Sequence, residues 1–353
     1  MNVLMIGCGW IAETVYLSNF IENEKIKQIY VYDLDIKKIQ NKLNKNSKIQ
    51  CLESFENTKF EFDYVFILSP NFLHAETIKK FINQNVRIFV EKPICINQSE
   101  MNELVSSLKN TNVSLHVSAP FRYRQDFKEI KKLVDDYQFG DIYHVELSWV
   151  KRRGTPGTPW FTNKKLSGGG VLADMGPHLM DLFYWLFGYH EPLKYLSSGS
   201  AFFLNSGDAY SNWHDQNANR EQGVCDVEDN CFSFISYKDI SLSLNTTWAS
   251  NIENDYMHLK IWGTKSVSDI FTSIGFSTNT LYKETIINLS SDGETKTTCL
   301  EIGNRVLPFH NMLTDYIDGF TDNIPNGMEA LRNTASIFNL YDNMITVGEK
   351  IGK

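Results

Sequence analysis

The sequence predicts an α/β first domain with a doubly wound parallel sheet, followed by an α+β second domain with a large, mostly antiparallel open sheet. Three observations carry this prediction: short apolar runs that alternate with helical periodicity over residues 1–118, a glycine-rich turn after the first run, and alternating strands beyond residue 193. A chain of 353 residues is long enough for two domains. We therefore expect a first domain over residues 1–118 and a second domain over residues 119–353.

The first domain is predicted to consist of buried parallel strands joined by helical crossovers. Its strands are residues 2–6, 28–32, 63–68, 86–90 and 113–117, and its helices are residues 11–23, 36–44, 73–83 and 98–109. The last of these helices has a predicted cap at Asn97, with Glu100 three residues further on. A parallel sheet with crossover helices is typical of nucleotide-binding folds.

In the second domain the hydrophobic pattern changes from an alternation of strands and helices to mainly strands. Helices are predicted at 125–137 and 171–187, with a strand at 141–150 and a glycine- and proline-rich loop at 153–170 between them. Alternating strands follow from residue 193 to residue 302, interrupted by a long polar loop at 205–223. Two helices close the chain at 309–321 and 328–351, and the last of them can pack back on the first domain.

Composition disfavours several classes of function. The chain has 34 Lys and Arg against 42 Asp and Glu, a net charge of −8, which disfavours nucleic acids and anionic membranes as partners. The six cysteines contain no CxxC pair, so neither a metal site nor a disulfide framework is expected. No apolar run is long enough to span a membrane, and no signal-peptide pattern opens the chain. These features predict a cytoplasmic protein.

A glycine-rich turn, Gly7-Cys8-Gly9-Trp10-Ile11-Ala12, joins the first strand to the first helix. Its glycines allow a pyrophosphate to approach the helix N-terminus, and Ala12 takes the place of a third glycine. Asp33 ends the second strand, where its carboxylate can accept hydrogen bonds from ribose hydroxyls and would repel a 2′-phosphate. NAD is therefore favoured over NADP. The alternative is that Asp33 only caps the next helix, and Asp35 is its nearest competitor.

Polar residues also follow the strands at 63–68 and 86–90. Ser69-Pro70-Asn71 and His74 follow the first of these, and Glu91-Lys92-Pro93 follows the second. Ligands bind at the carboxyl ends of parallel strands, so Lys92 is placed where nicotinamide and substrate would meet. The alternative is a solvated lysine paired with Glu91. The predicted cofactor-binding residues are Gly7, Gly9, Trp10, Ile11, Asp33, Ser69, Pro70, Asn71, His74, Glu91 and Lys92.

A second glycine run, at 168–170, precedes a candidate acid/base pair. Asp174 and His178 lie on one face if this segment is helical. An imidazole, with an ordinary pKa near ~6.5, is a natural proton acceptor at neutral pH. Pro177 disfavours a regular helix, so a kink, or a helix that begins at Pro177, stays an alternative. A structural role accounts for Asp181 at least as well as a functional role.

Residues that select the substrate are expected in the basic, aromatic loop at 151–165 and at the domain junction. Arg153 and Trp160 are candidates to contact a ligand, and a basic residue could hold an acidic substituent or a phosphate. Arg122 is a further candidate, as is Asp181. The alternative is a solvated loop whose tryptophan covers the core.

These motifs together resemble the Gfo/Idh/MocA family of oxidoreductases, named for glucose-fructose oxidoreductase and inositol dehydrogenase. The resemblance rests on the turn at 7–12, on Ser69-Pro70-Asn71 with His74, on Glu91-Lys92-Pro93, and on Asp174-x-Gly176-x-His178-x-x-Asp181. It implies an N-terminal Rossmann domain, a C-terminal sheet that mediates homodimers or homotetramers, and NAD(P)-dependent oxidation or reduction of a sugar, cyclitol or nucleotide sugar.

The resemblance also implies three catalytic residues. His178 would take the hydroxyl proton, Lys92 would stabilise the charge on the oxygen, and Asp174 would orient the substrate or the other two groups. Two other functions use the same fold: a glycosidase that keeps NAD bound, and a non-catalytic NAD-binding regulator. A regulator would be expected to have lost Lys92 or His178, and both are present.

Overall fold

The computed structural model describes residues 1–353 except 44, 57, 205–208, 212–223 and 349–353. Most of the predicted polar loop at 205–223 therefore lies outside the described residues. The chain forms two compact units: Met1–Pro120 with Val306–Thr334, and Phe121–Arg305 with Ala335–Lys353. Residues 306–334 group with the first unit although they follow the second along the chain, and the functional division at residue 118 stays a prediction.

The first unit contains the predicted parallel sheet, with one more strand than predicted. The described strands are β1 Asn2–Ile6, β2 Gln28–Tyr32, β3 Ile49–Leu52, β4 Tyr64–Ile67, β5 Arg87–Val90 and β6 Ser114–Val117, in the order β3-β2-β1-β4-β5-β6. All neighbouring pairs are parallel. The order reverses between β1 and β4, as in a doubly wound sheet. The missed strand, β3, is a short edge strand with only its two end residues buried, so it lacks the continuous apolar run of its neighbours.

Helices connect these strands. They are a π-helical segment Ala12–Leu17 continued by α1 Ser18–Glu22, then α2 Ile36–Leu43, a 3₁₀ segment Asn71–Leu73, α3 His74–Phe81 and α4 Gln98–Lys109. The predicted cap of α4 is confirmed: Asn97 Oδ1 accepts a hydrogen bond from the Glu100 N–H at 2.9 Å, and Asn97 Nδ2 donates to Glu100 Oε1 at 2.8 Å.

The returning segment of the first unit contains helix α8, Leu307–Asp318. Tyr64 Oη donates to the Ile317 carbonyl at 3.0 Å, and the Tyr316 ring lies against the His116 ring with centroids 5.4 Å apart. Further along, the Val117 N–H donates to the Pro325 carbonyl at 3.0 Å. These contacts cover β4 and β6 with residues from the C-terminal part of the chain.

The second unit is built on a mixed sheet of nine strands within the described residues. They are β7 Ile142–Val150, β8 Pro192–Ser200, β9 Asn230–Tyr237, β10 Ser241–Thr247, β11 Tyr256–Gly263, β12 Val267–Thr272, β13 Glu284–Ser291, β14 Glu294–Glu301 and β15 Met344–Thr346. Their order is β14-β13-β12-β11-β7-β10-β9-β8-β15. Neighbours are antiparallel except for β7 with β10 and β8 with β15, so the predicted largely antiparallel sheet is confirmed.

Three described α-helices belong to the second unit: α5 Gln125–Asp135, the single turn α6 Lys164–Ser167 and α7 Val171–Phe187. A further helix, α9 Gly327–Asp342, begins in residues that group with the first unit and ends in residues that group with the second. The predicted final helix at 328–351 is too long: α9 ends at Asp342, and Met344–Thr346 pairs with the edge strand β8 instead. Ile345 and Thr346 are β-branched, which favours the extended conformation.

One face of the large sheet is buried and the other is open within the described chain. Inward residues such as Ile235, Leu244 and Leu259 are at most 2% exposed and join the core that includes α7. Phe232 and Phe234 alternate with the buried residues of β9 and are 55% and 41% exposed. The strands thus have the one-sided burial expected of an antiparallel sheet with one uncovered face.

Candidate functional site

The glycine turn of the first unit brings the ends of two strands close together. Gly7 has φ +96°, and a Cβ built on it would lie 2.6 Å from the Ser69 backbone nitrogen. Its N–H donates to the Tyr32 carbonyl at 2.8 Å. Gly7 is therefore required both by its backbone conformation and by the close passage of the chain after β4.

Gly9 has a different environment from Gly7. A Cβ built on Gly9 would meet nothing within 4 Å, and the residue is exposed. Its carbonyl accepts the Glu13 N–H at 3.0 Å, so the first helix begins directly at this point. Trp10 and Ile11 are half-buried and Ala12 is completely buried against the core. The open space beside Gly9, at a helix N-terminus, fits the close approach of a pyrophosphate.

Asp33 fixes this turn from the end of β2. Its Oδ2 accepts the Cys8 N–H and its Oδ1 accepts the Asp35 N–H, both at 2.8 Å. Each carboxylate oxygen has further acceptor capacity, since an ionised carboxylate offers about four lone-pair positions. Of the two candidate carboxylates, Asp33 is the one bonded to the glycine turn, and it also caps the following loop. The observed geometry is therefore compatible with both interpretations of Asp33, as a ligand of the ribose hydroxyls and as a cap.

The residues after β5 are held by the first helix. Glu91 Oε1 accepts a short hydrogen bond from Tyr16 Oη, and Glu91 Oε2 accepts the Lys92 N–H at 3.2 Å. Burial, and then the charge of Glu91, raise the pKa of Tyr16 well above its ordinary value, which keeps the phenol protonated as a donor. The Lys92–Pro93 peptide bond is cis. The backbone that carries Lys92 is thus tied to the helix that follows the glycine turn.

His74 lies between the two loops that follow β4 and β5. It is 0% exposed, with Nδ1 2.7 Å from the Pro93 carbonyl and Nε2 2.7 Å from the Ser69 carbonyl. Burial lowers the pKa of His74. Its ring therefore joins the loop after β4 to the loop after β5, and a contact of His74 with the cofactor stays a prediction. Ser69 and Pro70 are half-buried, while Asn71 is buried.

In the second unit, α7 is one continuous helix with Pro177 inside it. The alternative that the helix begins at Pro177 is wrong. A proline restricts the residue before it partly through a clash with that residue's Cβ, and here the preceding residue is Gly176. Gly176 also has no room for a side chain, since a Cβ would lie 2.8 Å from Ile337 Cδ1. The four-residue spacing therefore places Asp174 and His178 on one face of α7.

Both side chains of this pair have defined surroundings within the second unit. Trp248, which is completely buried, donates from Nε1 to Asp174 Oδ2 at 3.0 Å. The His178 ring stacks on Phe121 with centroids 5.1 Å apart and meets the ring of Trp149 edge to face at 6.0 Å. An indole N–H can only donate, so it fixes that Asp174 oxygen as an acceptor.

The N-terminus of α7 is bound by two residues that sequence reasoning missed. Glu228, 3% exposed, accepts hydrogen bonds from the N–H groups of Gly170 and Leu172 through its carboxylate, and Tyr341 Oη accepts the Ala173 N–H. Neither residue lies near the glycine run in sequence. The only local signal was the run itself, which indicated that some group approaches closely.

Two predicted substrate residues bind each other. Arg122 Nε and Nη2 donate to the two carboxylate oxygens of Asp181 at 2.9 and 2.6 Å. The two residues are 5% and 7% exposed. A bidentate, buried pair of this kind is a structural ion pair, and a direct substrate contact of Arg122 or Asp181 stays a prediction.

The basic loop is partly bound to the sheet. Arg153 Nη1 donates to the Arg152 and Ser250 carbonyls at 2.7 and 2.6 Å, while Trp160 stacks on Phe161 with centroids 3.8 Å apart. Lys151 lies with its Nζ 5.1 Å from the centre of the Trp149 ring, the same ring that meets His178. Lys151 and His178 therefore both contact the Trp149 ring.

The described residues contain no group of three or more His, Cys, Asp or Glu side chains arranged to hold a metal ion. In the same part of the chain, no helix combines the length and the apolar character needed to cross a bilayer.

Two family models match the chain. One, described as an oxidoreductase family with an NAD-binding Rossmann fold, matches residues 1–119. The other, described as the GFO/IDH/MocA C-terminal domain, matches residues 127–267. Together the two matches span most of both units.

Similar proteins include several oxidoreductases. A protein from Amycolatopsis mediterranei, provisionally named the oxidoreductase subunit of a UDP-kanosamine synthase, is 28% identical over 298 residues, covering 84% of this chain and 81% of that protein. D-glucoside 3-dehydrogenase from Escherichia coli is 25% identical over 283 residues, 79% of each chain. The WlbA dehydrogenase from Bordetella pertussis, solved with NADH and UDP-GlcNAcA, has a TM-score of 0.71 at 16% identity, covering 97% of this chain and 95% of that one. The last likeness is one of fold.

Proposed function

The chain belongs to the GFO/IDH/MocA family of oxidoreductases, and from this premise we propose that it transfers a hydride between NAD and a secondary hydroxyl or ketone of a sugar, cyclitol or nucleotide sugar. The observation that carries the proposal is the open turn at Gly9, bonded to the Asp33 carboxylate, which fits a dinucleotide. In this proposal residues 1–118 bind the cofactor and residues 119–353 bind the substrate.

NAD is proposed in preference to NADP because of the charge at the end of β2. The Asp33 carboxylate is held by two backbone N–H groups, so it cannot easily turn away from an arriving ligand. Its remaining lone pairs suit the two ribose hydroxyls of NAD, whereas a 2′-phosphate would meet a like charge. Ser69, Pro70 and Asn71 are proposed to line the cofactor from the end of β4.

Three side chains are proposed to carry the chemistry. His178 accepts the proton of the substrate hydroxyl, and its ring is kept in place by Phe121 and Trp149. Lys92 stabilises the negative charge that develops on the oxygen. Asp174, whose carboxylate is oriented by Trp248, positions the substrate. When bound, NAD supplies the carbon that accepts the hydride.

The substrate class is proposed from the relatives and from the loop after β7. The named relatives act in sugar chemistry, and one is named for a UDP-sugar synthase. Arg153 and Trp160 are proposed to contact the substrate, although the described contacts of Arg153 are to carbonyls. Neutral sugars, cyclitols and nucleotide sugars therefore form the panel to be tested.

The test is turnover by three variants. We expect Lys92→Ala and His178→Ala each to lower NADH formation by about 100-fold or more, the usual contribution of a general base or of an oxyanion donor. Binding of NAD should change little in His178→Ala. The matched control is Lys79→Ala, which removes a surface lysine paired with Glu103 and should leave turnover unchanged.

Three results would redirect this assignment. Near-normal turnover in both Lys92→Ala and His178→Ala would show that the proposed roles are wrong. Release of an aglycone from a glycoside, without net NADH formation, would identify the NAD-retaining glycosidase instead. Binding of NAD with no turnover on the whole panel would favour the non-catalytic regulator.

A homodimer or homotetramer through the large sheet is also proposed. Phe232 and Phe234 are exposed on the open face of β9, and Leu196, which pairs with Phe234 on β8, is 56% exposed. Contiguous exposed apolar side chains of this kind are typical of interfaces. Light scattering should give a multiple of the 40.6 kDa chain mass, and Phe232→Arg should reduce it; a monomeric wild type would contradict the proposal.

A further inference from the structure

The first turn of α7 has all its free backbone donors satisfied by two residues from distant parts of the chain. The first hydrogen bond within the helix runs from the Asp174 N–H to the Gly170 carbonyl at 3.1 Å. The N–H groups before it need partners elsewhere, and they belong to Gly170, Val171, Leu172 and Ala173. Each of them donates to an acceptor on Glu228 or on Tyr341.

Glu228 accepts three of these donors. Its Oε2 binds the Gly170 N–H at 3.1 Å, its Oε1 binds the Leu172 N–H at 3.0 Å, and its backbone carbonyl binds the Val171 N–H at 3.0 Å. Burial raises the pKa of Glu228, and the hydrogen bonds from Leu172, Tyr341 and Gly170 oppose that rise. A carboxylate at a helix N-terminus also complements the helix dipole.

Tyr341 completes the set and connects it to helix α9. Its Oη accepts the Ala173 N–H at 3.0 Å and donates to Glu228 Oε1 at 2.8 Å. Burial and the neighbouring Glu228 carboxylate raise the pKa of Tyr341 well above its ordinary value, so the hydroxyl keeps the proton that it donates. We refer to Glu228 and Tyr341 as the α7 cap.

The glycine run before α7 is shaped to these two residues. A Cβ on Gly169 would lie 2.0 Å from Tyr341 Oη, and a Cβ on Gly170 would lie 2.0 Å from the Glu228 carbonyl oxygen. The space that the glycines leave is therefore filled by the chain itself. A phosphate or carboxylate of a substrate cannot use this helix N-terminus, because the Glu228 carboxylate already occupies it.

We propose that Glu228 and Tyr341 are positioning residues, which set where the first turn of α7 holds Asp174 during the proposed reaction. This inference rests on the proposed function. The backbone of Asp174 bonds directly to Gly170, which the α7 cap holds, and its side chain is bonded to the completely buried Trp248. With both ends of Asp174 fixed, a small shift of the first turn misaligns its carboxylate, and reactions of this kind lose rate steeply with misplacement.

The test compares two tyrosines. Tyr341 bonds through its hydroxyl to the first turn of α7, and Tyr184 belongs to α7 itself. Tyr341→Phe removes the hydroxyl at the first turn. Tyr184→Phe is the matched control, because Tyr184 lies near the other end of α7 and its hydroxyl bonds to Tyr237 and Ser336. We expect kcat to fall about tenfold in Tyr341→Phe and to stay within twofold in Tyr184→Phe, with the KM for NAD unchanged in both. Glu228→Gln should resemble Tyr341→Phe, and it decides the case if Tyr341→Phe does not fold.

A second measurement does not depend on activity. Amide hydrogen exchange of residues 170–173 should become at least tenfold faster in Tyr341→Phe and stay unchanged in Tyr184→Phe. Equal kcat in the two variants, with similar losses in unfolding midpoint, would mean that the α7 cap only stabilises the fold and would overturn the inference. If the wild type turns over no substrate, the proposed function fails and the catalytic part of the inference fails with it. Exchange then tests only whether the α7 cap fixes the first turn: faster exchange confined to Tyr341→Phe supports this, and equal exchange overturns it.

Discussion

Each unit contains a helix that follows closely spaced glycines: Gly7 and Gly9 in the first unit, and residues 168–170 in the second. The N-termini of these two helices have opposite environments. In the first unit, a Cβ at Gly9 would meet nothing within 4 Å. In the second unit, a Cβ at Gly169 or Gly170 would overlap with Tyr341 or with the backbone of Glu228. The first terminus is left accessible, whereas the second is occupied by a carboxylate and a hydroxyl of the chain itself.

This difference shows that a glycine run before a helix has two distinct uses. It can leave room for an anionic ligand, or it can leave room for the protein to cap the helix with its own anion. Both uses require glycine for the same reason, which is close approach to the backbone. The group that approaches the glycines decides whether the helix N-terminus binds a ligand or is capped by the protein. The glycines themselves do not decide it.

Among the substitutions that test this comparison, we expect Gly170→Ala to have the largest effect. Its Cβ would meet the Glu228 backbone, which cannot move as a flexible side-chain end could. Overpacking of this kind costs about 3 kcal/mol, so we expect a clear fall in the free energy of unfolding of the second unit. Chemical denaturation measures it, and an unchanged midpoint would mean that the chain at Glu228 yields easily.

Gly9→Ala is the corresponding substitution in the first unit. We expect it to weaken NAD binding and to leave stability almost unchanged. The free energy of unfolding should change by no more than about 0.5 kcal/mol, because the Cβ enters open space. Binding of NAD should weaken by about 2 kcal/mol through lost contacts to a charged group, which is roughly thirtyfold in Kd. Calorimetric titration with NAD measures this. An unchanged Kd would show that the pyrophosphate does not lie beside Gly9.

The two units should also differ in their response to acid. Burial lowers the pKa of His116 in the first unit to about 4, whereas burial raises the pKa of Glu228 in the second. As the pH falls through ~6.5 towards 4, the unfolded His116 gains a proton that the folded one does not, so the first unit loses stability, by about 2 kcal/mol at pH 5. Glu228 has the opposite sign, because its raised pKa favours the folded state as the pH falls.

Amide exchange of β6 and of β9 at pH 7.5 and pH 5 separates these responses. After division by the intrinsic exchange rate at each pH, the acid-induced loss of amide protection should be larger in β6, and His116→Phe, which keeps a ring against Tyr316, should remove most of it. An equal response of wild type and variant would contradict the role of His116.

The smallest effect is expected from Asp33→Ser. It removes the carboxylate that bonds to the Cys8 N–H, so the ratio of kcat/KM for NAD over NADP should fall by roughly tenfold, or ~1.4 kcal/mol. Asp35→Ser is the control, and it should leave the ratio unchanged. If only Asp35→Ser changes the ratio, the cofactor-selecting carboxylate is Asp35.

Much of the first unit could be predicted because its signals are local. The turn at 7–12 follows a buried strand directly, and Asp33 ends the next one, so adjacent parallel strands bring them together without further information. The prediction that His74 contacts the cofactor has the same local basis and stays a prediction. The bonds of the His74 ring to carbonyls in two different loops could not be predicted, because no sequence pattern indicates which way such a ring turns.

The second unit could be predicted less well because its important contacts are long-range. Glu228 lies 58 residues from Gly170, and Tyr341 lies 168 residues from Ala173. The Arg122–Asp181 pair spans 59 residues, so each partner alone looked like a polar residue available to a substrate. Pro177 suggested a broken helix, yet the preceding Gly176 and the tertiary packing on α7 allow a continuous one.

The α7 cap has a consequence for the order in which the protein matures during synthesis. The ribosome releases α7 well before Glu228, and it releases Glu228 well before Tyr341, because the chain is made from its N-terminus. A nascent chain can therefore form the helix that carries Asp174 and His178 while its first turn still donates its N–H groups to water. The final geometry of that turn must wait until Tyr341 has left the exit tunnel, so termination between Glu228 and Tyr341 would leave the Ala173 N–H of the helix that carries the predicted catalytic pair without its acceptor.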